Sequence, residues 1–359
     1  MGKLKNNMNN KYVLDSISKL CLFMTIVMLM TSCVDKFLPD DLDSLGVDSR
    51  FTQTDYRPVL GRNTLMNNNF NAGNASQPLT FKIINIRKMN GDPAKELTEN
   101  FPVQVWKKPY LGTEKSLEEI ENKRTIENQP LFDIREHNGA FEMWAAANSS
   151  FVRTAPDSGY VFDVEVSNSG GRRYFTDMRL TPMKERPYEP SNLDETTGGA
   201  TQPFVRPTSV SGMRGHRTSN FLGTSNIEVY FRKVVDENGN NIGDGNSIKF
   251  LFKDSLNSPI DPNKFALTDW DNLMHGFNME KTDEYVKYQV AYPIPLIPYE
   301  TKYTTVDGTR AHLNFRYERL GFGNRREEAS LVFDFAIFEK GDWEVIFRFA
   351  QERPKFENE

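Results

Sequence analysis

The chain has 359 residues, 44 lysines and arginines against 49 aspartates and glutamates, and a formal net charge of −5. This acidic balance argues against a nucleic-acid partner, because phosphate binding needs a basic stripe and the sequence offers only short pairs such as Arg172–Arg173 and Arg325–Arg326. A chain of this length can bury a core without disulfides, and two domains are the natural expectation.

The first 32 residues have the order of a lipoprotein signal peptide. Four lysines accompany an apolar run at 20–30, and the small residues Thr31 and Ser32 come directly before Cys33. The run is about half as long as the roughly twenty residues that a membrane-spanning helix needs. We therefore expect this segment, 1–32, to be cleaved rather than to remain as a permanent span.

Cys33 is the predicted lipid-attachment residue, with an ordinary secretory signal and an incidental cysteine as the alternative. A thioether-linked diacylglycerol together with an N-acyl chain would anchor the protein stably in a membrane, whereas a single acyl chain binds only marginally. The other cysteine, Cys21, lies in the segment to be removed, so no internal disulfide is expected. Removal of four lysines and Asp15 takes a net +3 from the formal charge of −5 and leaves −8.

Residues 33–76 are polar, rich first in Asp and then in Asn, and are predicted to form a tether and entry loop. A first β-sandwich is predicted over 77–182. Its strands are expected at 79–87, 103–106, 141–146, 160–167 and 173–180. The fourth strand alternates apolar and polar residues, which predicts one buried face, and Gly170 and Gly171 predict a hairpin turn into the fifth.

One short surface helix is predicted in this region, from Ser116 to about residue 128. Ser116 and Glu119 have the spacing of a capping box, and Leu117 and Ile120 are placed to touch the core. The charged residues that follow are typical of a solvated helix face.

Residues 183–223 contain four spaced prolines and a Gly-rich stretch, which predicts a linker or a long loop. A second β-sandwich is predicted over 224–359, and its last two strands are expected to form a hairpin around Lys340 and Gly341. Crossover helices between strands are missing from the pattern, so the fold class is predicted as all-β, with two antiparallel, Ig-like β-sandwich domains. The strands of the second sandwich are expected at 226–234, 247–252, 284–292, 311–318, 329–339 and 343–349.

Several stretches of the sequence resemble a family of Bacteroidota lipoproteins, number 5007 in the domain-of-unknown-function series. The resemblance implies an outer-membrane, cell-surface protein that is accessory to glycan-uptake loci of the starch-utilisation type. It implies no binding or catalytic residue, because none is defined for that family. The stretches lie at 60–65, 96–128, 143–152, 157–175, 186–192, 269–279, 284–296 and 319–347.

The sequence contains none of the common catalytic motifs. It has no nucleophile elbow, no His-Glu-x-x-His zinc motif, no phosphate-binding loop and no dinucleotide fingerprint. The four histidines are widely scattered and give no metal-ligand spacing, so neither a metal nor a cofactor is predicted. With so many acidic residues, a catalytic carboxylate pair can be neither nominated nor excluded.

Two groups of residues have the composition of a carbohydrate site. In such a site an exposed aromatic face stacks on a sugar, and polar neighbours hydrogen-bond its hydroxyls. The alternative for each tryptophan is a place in the core. That alternative is the commoner one for Trp106 and Trp144 in a β-sandwich, whereas for Trp270, among polar neighbours, the two are about equal. The candidates are Trp106, Tyr110, Trp144 and Asn148 in one group, and Asp269, Trp270, Asp271 and His275 in the other.

These observations favour a non-enzymatic, lipid-anchored surface protein that binds a glycan or docks on a glycan-import transporter complex. A β-sandwich glycoside hydrolase or lyase is one alternative, and it requires a cleft lined by two carboxylates. A structural adhesin or assembly component is another, and it would present large exposed apolar patches.

Overall fold

The computed structural model describes residues 43–240 and 242–358. The predicted signal peptide, Cys33 and the start of the predicted tether lie outside these residues. Within them the protein is mostly β, with several sheets and two short α-helices, which confirms the predicted fold class. No helix in these two described ranges has the length and apolarity to cross a membrane.

The N-terminal half, residues 43–182, contains eleven strands and two helices. The strands are β1 Arg50–Phe51, β2 Asp55–Tyr56, β3 Thr64–Met66, β4 Phe70–Asn71, β5 Thr80–Lys88, β6 Asn100–Trp106, β7 Arg124–Pro130, β8 Phe132–Ile134, β9 Phe141–Met143, β10 Tyr160–Asn168 and β11 Gly171–Leu180. The helices are α1 Lys95–Thr98 and α2 Leu117–Glu121.

Two sheets enclose the core of this half. One has the order β2-β11-β10-β5 and the other β3-β9-β8. Their inner faces meet through aromatic rings, since the Phe162 ring of β10 lies 5.2 Å from those of Phe132 and Phe141 on the other sheet. The predicted hairpin of β10 and β11 is present, with the alternate apolar residues of β10 buried.

The N-terminal half is folded from a point inside the predicted entry loop. Residues 43–76 contribute the four short strands β1 to β4, and Phe51, Tyr56 and Leu60 are buried in the core. The polar composition of this segment predicts a loop, because these few buried apolar residues are spaced widely among Asp and Asn residues.

The predicted helix begins where expected but ends much earlier. Ser116 caps α2 by accepting a hydrogen bond from the Glu119 N–H at 3.1 Å, and the Glu119 carboxylate accepts from the Lys115 N–H at 2.9 Å. The helix ends at Glu121, and residues 124–130 form β7, which pairs along its whole length with β6. The prediction of a helix to residue 128 is therefore wrong, because pairing with a distant strand outweighs local helix propensity.

The C-terminal half, residues 183–358, contains nine strands and four short 3₁₀ turns. The strands are β12 Tyr188–Glu189, β13 Ser209–Ser211, β14 Ile227–Lys233, β15 Asn246–Lys253, β16 Phe277–Lys281, β17 Tyr285–Gln289, β18 Ala311–Gly321, β19 Arg325–Ile337 and β20 Gly341–Phe349. The 3₁₀ turns are Thr224–Asn226, Pro262–Lys264, Trp270–Asn272 and Phe322–Asn324.

Two sheets of this half pack face to face as a sandwich. In one, β19 pairs with β12, β13 and β18; the other has the order β14-β20-β15-β17-β16. Alternate residues of β18 are buried, as period-two alternation demands of a strand with one covered face. Aromatic rings fill the space between the sheets, with Phe252 4.9 Å from Phe315 and Phe333 5.5 Å from Phe347.

The predicted hairpin of the last two strands is wrong. β19 and β20 belong to different sheets, so the turn at Lys340 carries the chain across the sandwich. The hairpin partner of β19 is β18, and β20 lies between β14 and β15, with β15 running parallel to it. The predicted linker, 183–223, is attached to this half through β12 and β13, which both pair with β19.

Candidate functional site

The two halves meet at a joint that has its own small apolar cluster. Its buried members come from the loop after β6, from α2 and from the segment after β17, so both halves contribute. Such a cluster fixes the position of one half against the other, because its apolar surface is removed from water only when the halves are docked. The buried members are Tyr110, Ile120 and Ala291, and the side chains packed against them are Trp106, Leu117, Phe277, Leu296 and Ile297.

Polar contacts cross the same joint. The Arg124 guanidinium donates a hydrogen bond to the backbone carbonyl of Tyr292 at 2.7 Å. His275, from the C-terminal half, is hydrogen-bonded through Nδ1 to the Tyr110 hydroxyl and through Nε2 to the Glu114 carbonyl, the latter at 2.8 Å. The His275 ring also stacks on Tyr303, with 5.0 Å between ring centroids.

The partners of His275 define the form of its ring. A carbonyl can only accept, so Nε2 carries the hydrogen, and in the neutral ring Nδ1 then accepts from the Tyr110 hydroxyl. Burial lowers the pKa of His275 below its ordinary value, although the Glu114 carbonyl and carboxylate partly oppose the shift. The neutral imidazole is thus the form that the joint holds near neutral pH.

Glu114 stabilises this arrangement through its side chain. Its carboxylate is buried, and it accepts hydrogen bonds from the Lys123 ammonium and, at 2.9 Å, from the Leu111 N–H. Burial alone would raise the pKa of Glu114, but these bonds outweigh it and lower the pKa to about 2. The ion pair therefore holds the loop of Tyr110 against the start of β7.

A groove of about 680 Å³ lies beside the joint, with walls from both halves. Its volume falls in the range of about 300–1,000 Å³ that is typical of small-molecule sites. Apolar, aromatic, amide and charged side chains all reach it. The lining residues include Arg62, Asn63, Asn67, Gln104, Trp106, Arg135, Glu142, Trp144, Glu189, Leu296, Arg310 and Phe338.

Both tryptophans of the groove are held at strand ends. Trp106 is the last residue of β6 and pairs with Arg124 of β7, whose guanidinium lies 5.2 Å from the indole ring centroid. Trp144 follows β9 directly, and its backbone N–H donates to the Leu131 carbonyl at 3.0 Å. Each ring is half-buried, which leaves part of it facing the groove.

Arg62 and Phe338 stack in the wall of the groove. The guanidinium carbon of Arg62 lies 3.7 Å from the Phe338 ring centroid, and one of its nitrogens is 3.0 Å from a Glu189 carboxylate oxygen. β12 pairs with the end of β19, which brings Glu189 next to Phe338 although the two are distant in sequence. Burial lowers the pKa of Arg62, while the Glu189 carboxylate opposes that shift.

The two carboxylates of the groove are both ion-paired. Glu189 has Arg62 and Arg186 each at 3.0 Å and Arg310 at 3.9 Å. Glu142 lies on β9 and accepts from Arg135 at 3.3 Å. Arginines outnumber carboxylates here, so the wall offers guanidinium donors as well as aromatic faces.

A family model described as "Domain of unknown function (DUF5007)" matches residues 70–358. The chain belongs to the DUF5007 family. The match includes most of the N-terminal half, from residue 70, and the whole C-terminal half, and Trp106, Trp144 and Glu189 lie within it. No curated protein and no solved structure matches the chain significantly.

The DUF5007 chain brings together only part of the first predicted group. Trp106 and Trp144 both line the groove, whereas Tyr110 is buried behind it and holds His275 of the second group. Asn148 is exposed outside the groove lining, and its amide oxygen accepts from the Ser150 N–H at 2.8 Å. Tyr110 and Asn148 therefore lie outside the groove that holds the two tryptophans.

The second predicted group does not form a platform. Trp270 is only 7% exposed and packs in the C-terminal core, 5.7 Å from Phe315. Its carbonyl accepts from the buried Tyr288 hydroxyl at 2.6 Å. A ring enclosed in this way offers little surface for stacking on a sugar.

The polar members of that group stay near the surface. Asp269 caps the 3₁₀ turn by accepting from the Asn272 N–H at 3.3 Å, and Asp271 is exposed. His275 belongs to the joint between the halves. Neither carboxylate lines the groove.

Sequence reasoning missed most of the charged wall of the groove. Arg62, Glu189, Arg310 and Phe338 come from four separate segments of the DUF5007 chain, and no motif links them. Glu189 lies within the residues that the family model matches and Arg62 lies before them, and no local pattern around either residue marks a site. Across residues 43–240 and 242–358, no group of three or more His, Cys, Asp and Glu side chains is arranged to hold a metal ion.

Proposed function

We propose that this protein is a non-enzymatic outer-membrane surface lipoprotein, anchored through Cys33, whose groove binds a glycan. The observation that carries the proposal is the placement of Trp106 and Trp144 in one groove together with arginine and amide side chains. Indole faces stack on the apolar face of a sugar ring, and rigid rings lose little entropy on binding.

The joint between the halves supports a binding role. Because the joint's apolar cluster and the Arg124 to Tyr292 hydrogen bond tie the two walls together, little of the binding free energy is needed to assemble the groove. Asn63, Gln104 and Arg135 supply the amide and guanidinium groups that hydrogen-bond hydroxyls.

The placement in the outer membrane rests on the sequence. The signal-peptide pattern and Cys33 support a lipid anchor, and the family resemblance supports a partner in a glycan-import transporter complex. Mass spectrometry of the amino-terminal peptide tests the anchor, and an unmodified Cys33 would exclude it. A pull-down from detergent-solubilised outer membranes tests the transporter partner.

Replacement of Trp144 by Ala tests the groove directly. The detergent-solubilised protein is titrated with a panel of β-glucan, mannan, xylan and polygalacturonate, and Trp144→Ala should weaken the best ligand by about tenfold, or ~1.4 kcal/mol. Trp144→Phe keeps an aromatic face and should retain most of the affinity. Leu256→Ala, at an exposed site outside the groove, is the control.

Two results would count against this proposal. One is failure of the wild-type protein to bind any glycan of the panel. The other is binding that Trp144→Ala and Trp106→Ala leave unchanged while both variants keep the wild-type circular dichroism spectrum.

A glycoside hydrolase or lyase is the second candidate, because Glu142 and Glu189 line the same groove. Both carboxylates are engaged by arginines, however: Glu189 pairs with Arg62, Arg186 and Arg310, and Glu142 pairs with Arg135. Release of new reducing ends from the same panel, abolished in Glu189→Gln or Glu142→Gln, would establish the enzyme. Unchanged polysaccharide length supports the binding role.

A further inference from the structure

A second cavity adjoins the groove. It has a volume of about 460 Å³ and also lies between the two halves. Five residues line both spaces, so the two cavities share one boundary rather than lying on separate faces of the protein. The shared residues are Arg62, Asn63, Gln104, Pro293 and Phe338.

The shared boundary is built around the stacked Arg62 and Phe338. Both side chains are half-buried, and the Arg62 to Glu189 ion pair holds the guanidinium in position. A ligand that occupied both cavities would therefore cross a fixed, partly aromatic surface. Asn63 and Gln104 also line both cavities.

The second cavity has a lining suited to the same chemistry as the groove. Ile126 is 62% exposed and offers apolar surface there, and the exposed Lys340 offers donors. Tyr292 and Arg124, which tie the halves together, form part of its wall. The joint therefore determines the shape of the second cavity.

We infer that the ligand is an extended glycan chain that occupies both cavities at once, with one segment against Trp106 and Trp144 and the next beyond Phe338. This inference rests on the proposed function and adds the size class of the ligand. Each cavity falls in the range of about 300–1,000 Å³ that encloses a drug-sized molecule, which is comparable in bulk to a di- or trisaccharide. A chain of about four to six sugar units then fills the pair.

The test compares ligands of different length. Oligosaccharide ladders of about two to eight units are prepared from whichever polysaccharide of the panel binds, and their affinities for the detergent-solubilised protein are measured by calorimetry. The affinity should rise by at least about tenfold between the trisaccharide and the hexasaccharide and change little thereafter.

A blocking variant separates the two cavities. Ala145 is exposed and lines only the second cavity, so Ala145→Trp should fill that space and remove the gain of the longer oligosaccharides. Binding of the trisaccharide in the tryptophan groove should stay at the wild-type value. Ala266→Trp, an exposed alanine that lines neither cavity, is the matched control and should behave as wild type.

A second variant tests the second cavity in case Ala145→Trp does not fold. Ile126→Ser changes an exposed strand residue without adding volume, and it should weaken the hexasaccharide several-fold while sparing the trisaccharide. If trisaccharide and hexasaccharide bind equally and both variants leave them so, the extended ligand is refuted and the groove proposal stands. If the wild-type protein binds no oligosaccharide or polysaccharide of the panel, both proposals fall.

Discussion

At the scale of single residues, the most informative side chain is His275, which joins the two halves as a neutral ring. Burial lowers the pKa of His275, and the nearby Lys302 ammonium lowers it further. Glu114 and Glu119 oppose the shift without offsetting it. The residue is thus a half-buried base that the folded protein keeps unprotonated.

This lowered pKa gives a prediction about acid stability. In the pH range between the lowered pKa of the folded state and about 6.5 for the unfolded chain, the unfolded state binds more protons. The contribution of His275 to the free energy of unfolding is therefore complete above that range and is lost as the pH falls through it. His275→Gln should make the drop in stability between about pH 7.5 and pH 5.5 shallower in urea unfolding.

The control for that prediction is His137→Gln. The His137 side chain is 74% exposed and lies on the N-terminal half, away from the joint. Its replacement changes a histidine without touching the joint. Equal slopes for His275→Gln and the wild type would show that His275 does not titrate differently on folding.

At the scale of elements, local sequence signals predicted the start of α2 correctly but not its end. The capping residues Ser116 and Glu119 locate its first turn, but β7 follows after only five helical residues. The register of β7 with β6 is a non-local property, and nothing in residues 124–130 marks it. The same limit explains why the pairing of β20 was predicted wrongly. Its partners β14 and β15 lie about a hundred residues upstream.

Strands with one covered face were the easiest elements to predict. In β10 and β18 the apolar residues alternate with polar ones, and this pattern follows from burial of one face alone. The groove is different, because its wall is assembled from loops and strand ends of both halves. Trp106 and Trp144 could be nominated from residue type, but their proximity to Arg62 and Glu189 depends on the tertiary fold.

The cap of α2 gives a prediction at this scale. Ser116→Ala removes the acceptor for the Glu119 N–H and should lower the free energy of unfolding by about 1 kcal/mol. Ser116→Asp keeps an acceptor and should restore most of the loss. Thermal unfolding measures both variants, and Ser150→Ala, at an exposed loop position, should match the wild type. Equal melting of Ser116→Ala and the wild type would mean that the cap contributes nothing.

At the scale of the whole molecule, the joint decides whether the two halves behave as one body. Its apolar cluster is small beside the two cores, so its opening costs less free energy than unfolding of either half. The groove and the second cavity share walls with this joint. Loosening the joint should therefore change the cavities without changing the two sandwiches.

Tyr110→Phe tests this view. The variant removes the hydroxyl that donates to His275 Nδ1 and leaves a buried acceptor without its partner, a change that costs about 1–3 kcal/mol. Hydrogen–deuterium exchange should speed up in the loop at 107–116 and in the facing segment at 291–304. Exchange in β10 and β19, inside the two cores, should stay at the wild-type rate, because the loss acts on the contact between the halves.

Tyr288→Phe is the matched control, since it removes a tyrosine hydroxyl from the C-terminal core instead of from the joint. The Tyr288 hydroxyl donates to the Trp270 carbonyl at 2.6 Å, and its loss should speed exchange around β17 and the Trp270–Asn272 turn. If Tyr110→Phe instead speeds exchange uniformly across both sandwiches, the halves unfold only together. The joint would then be part of one continuous core, and the cavities could not open independently of it.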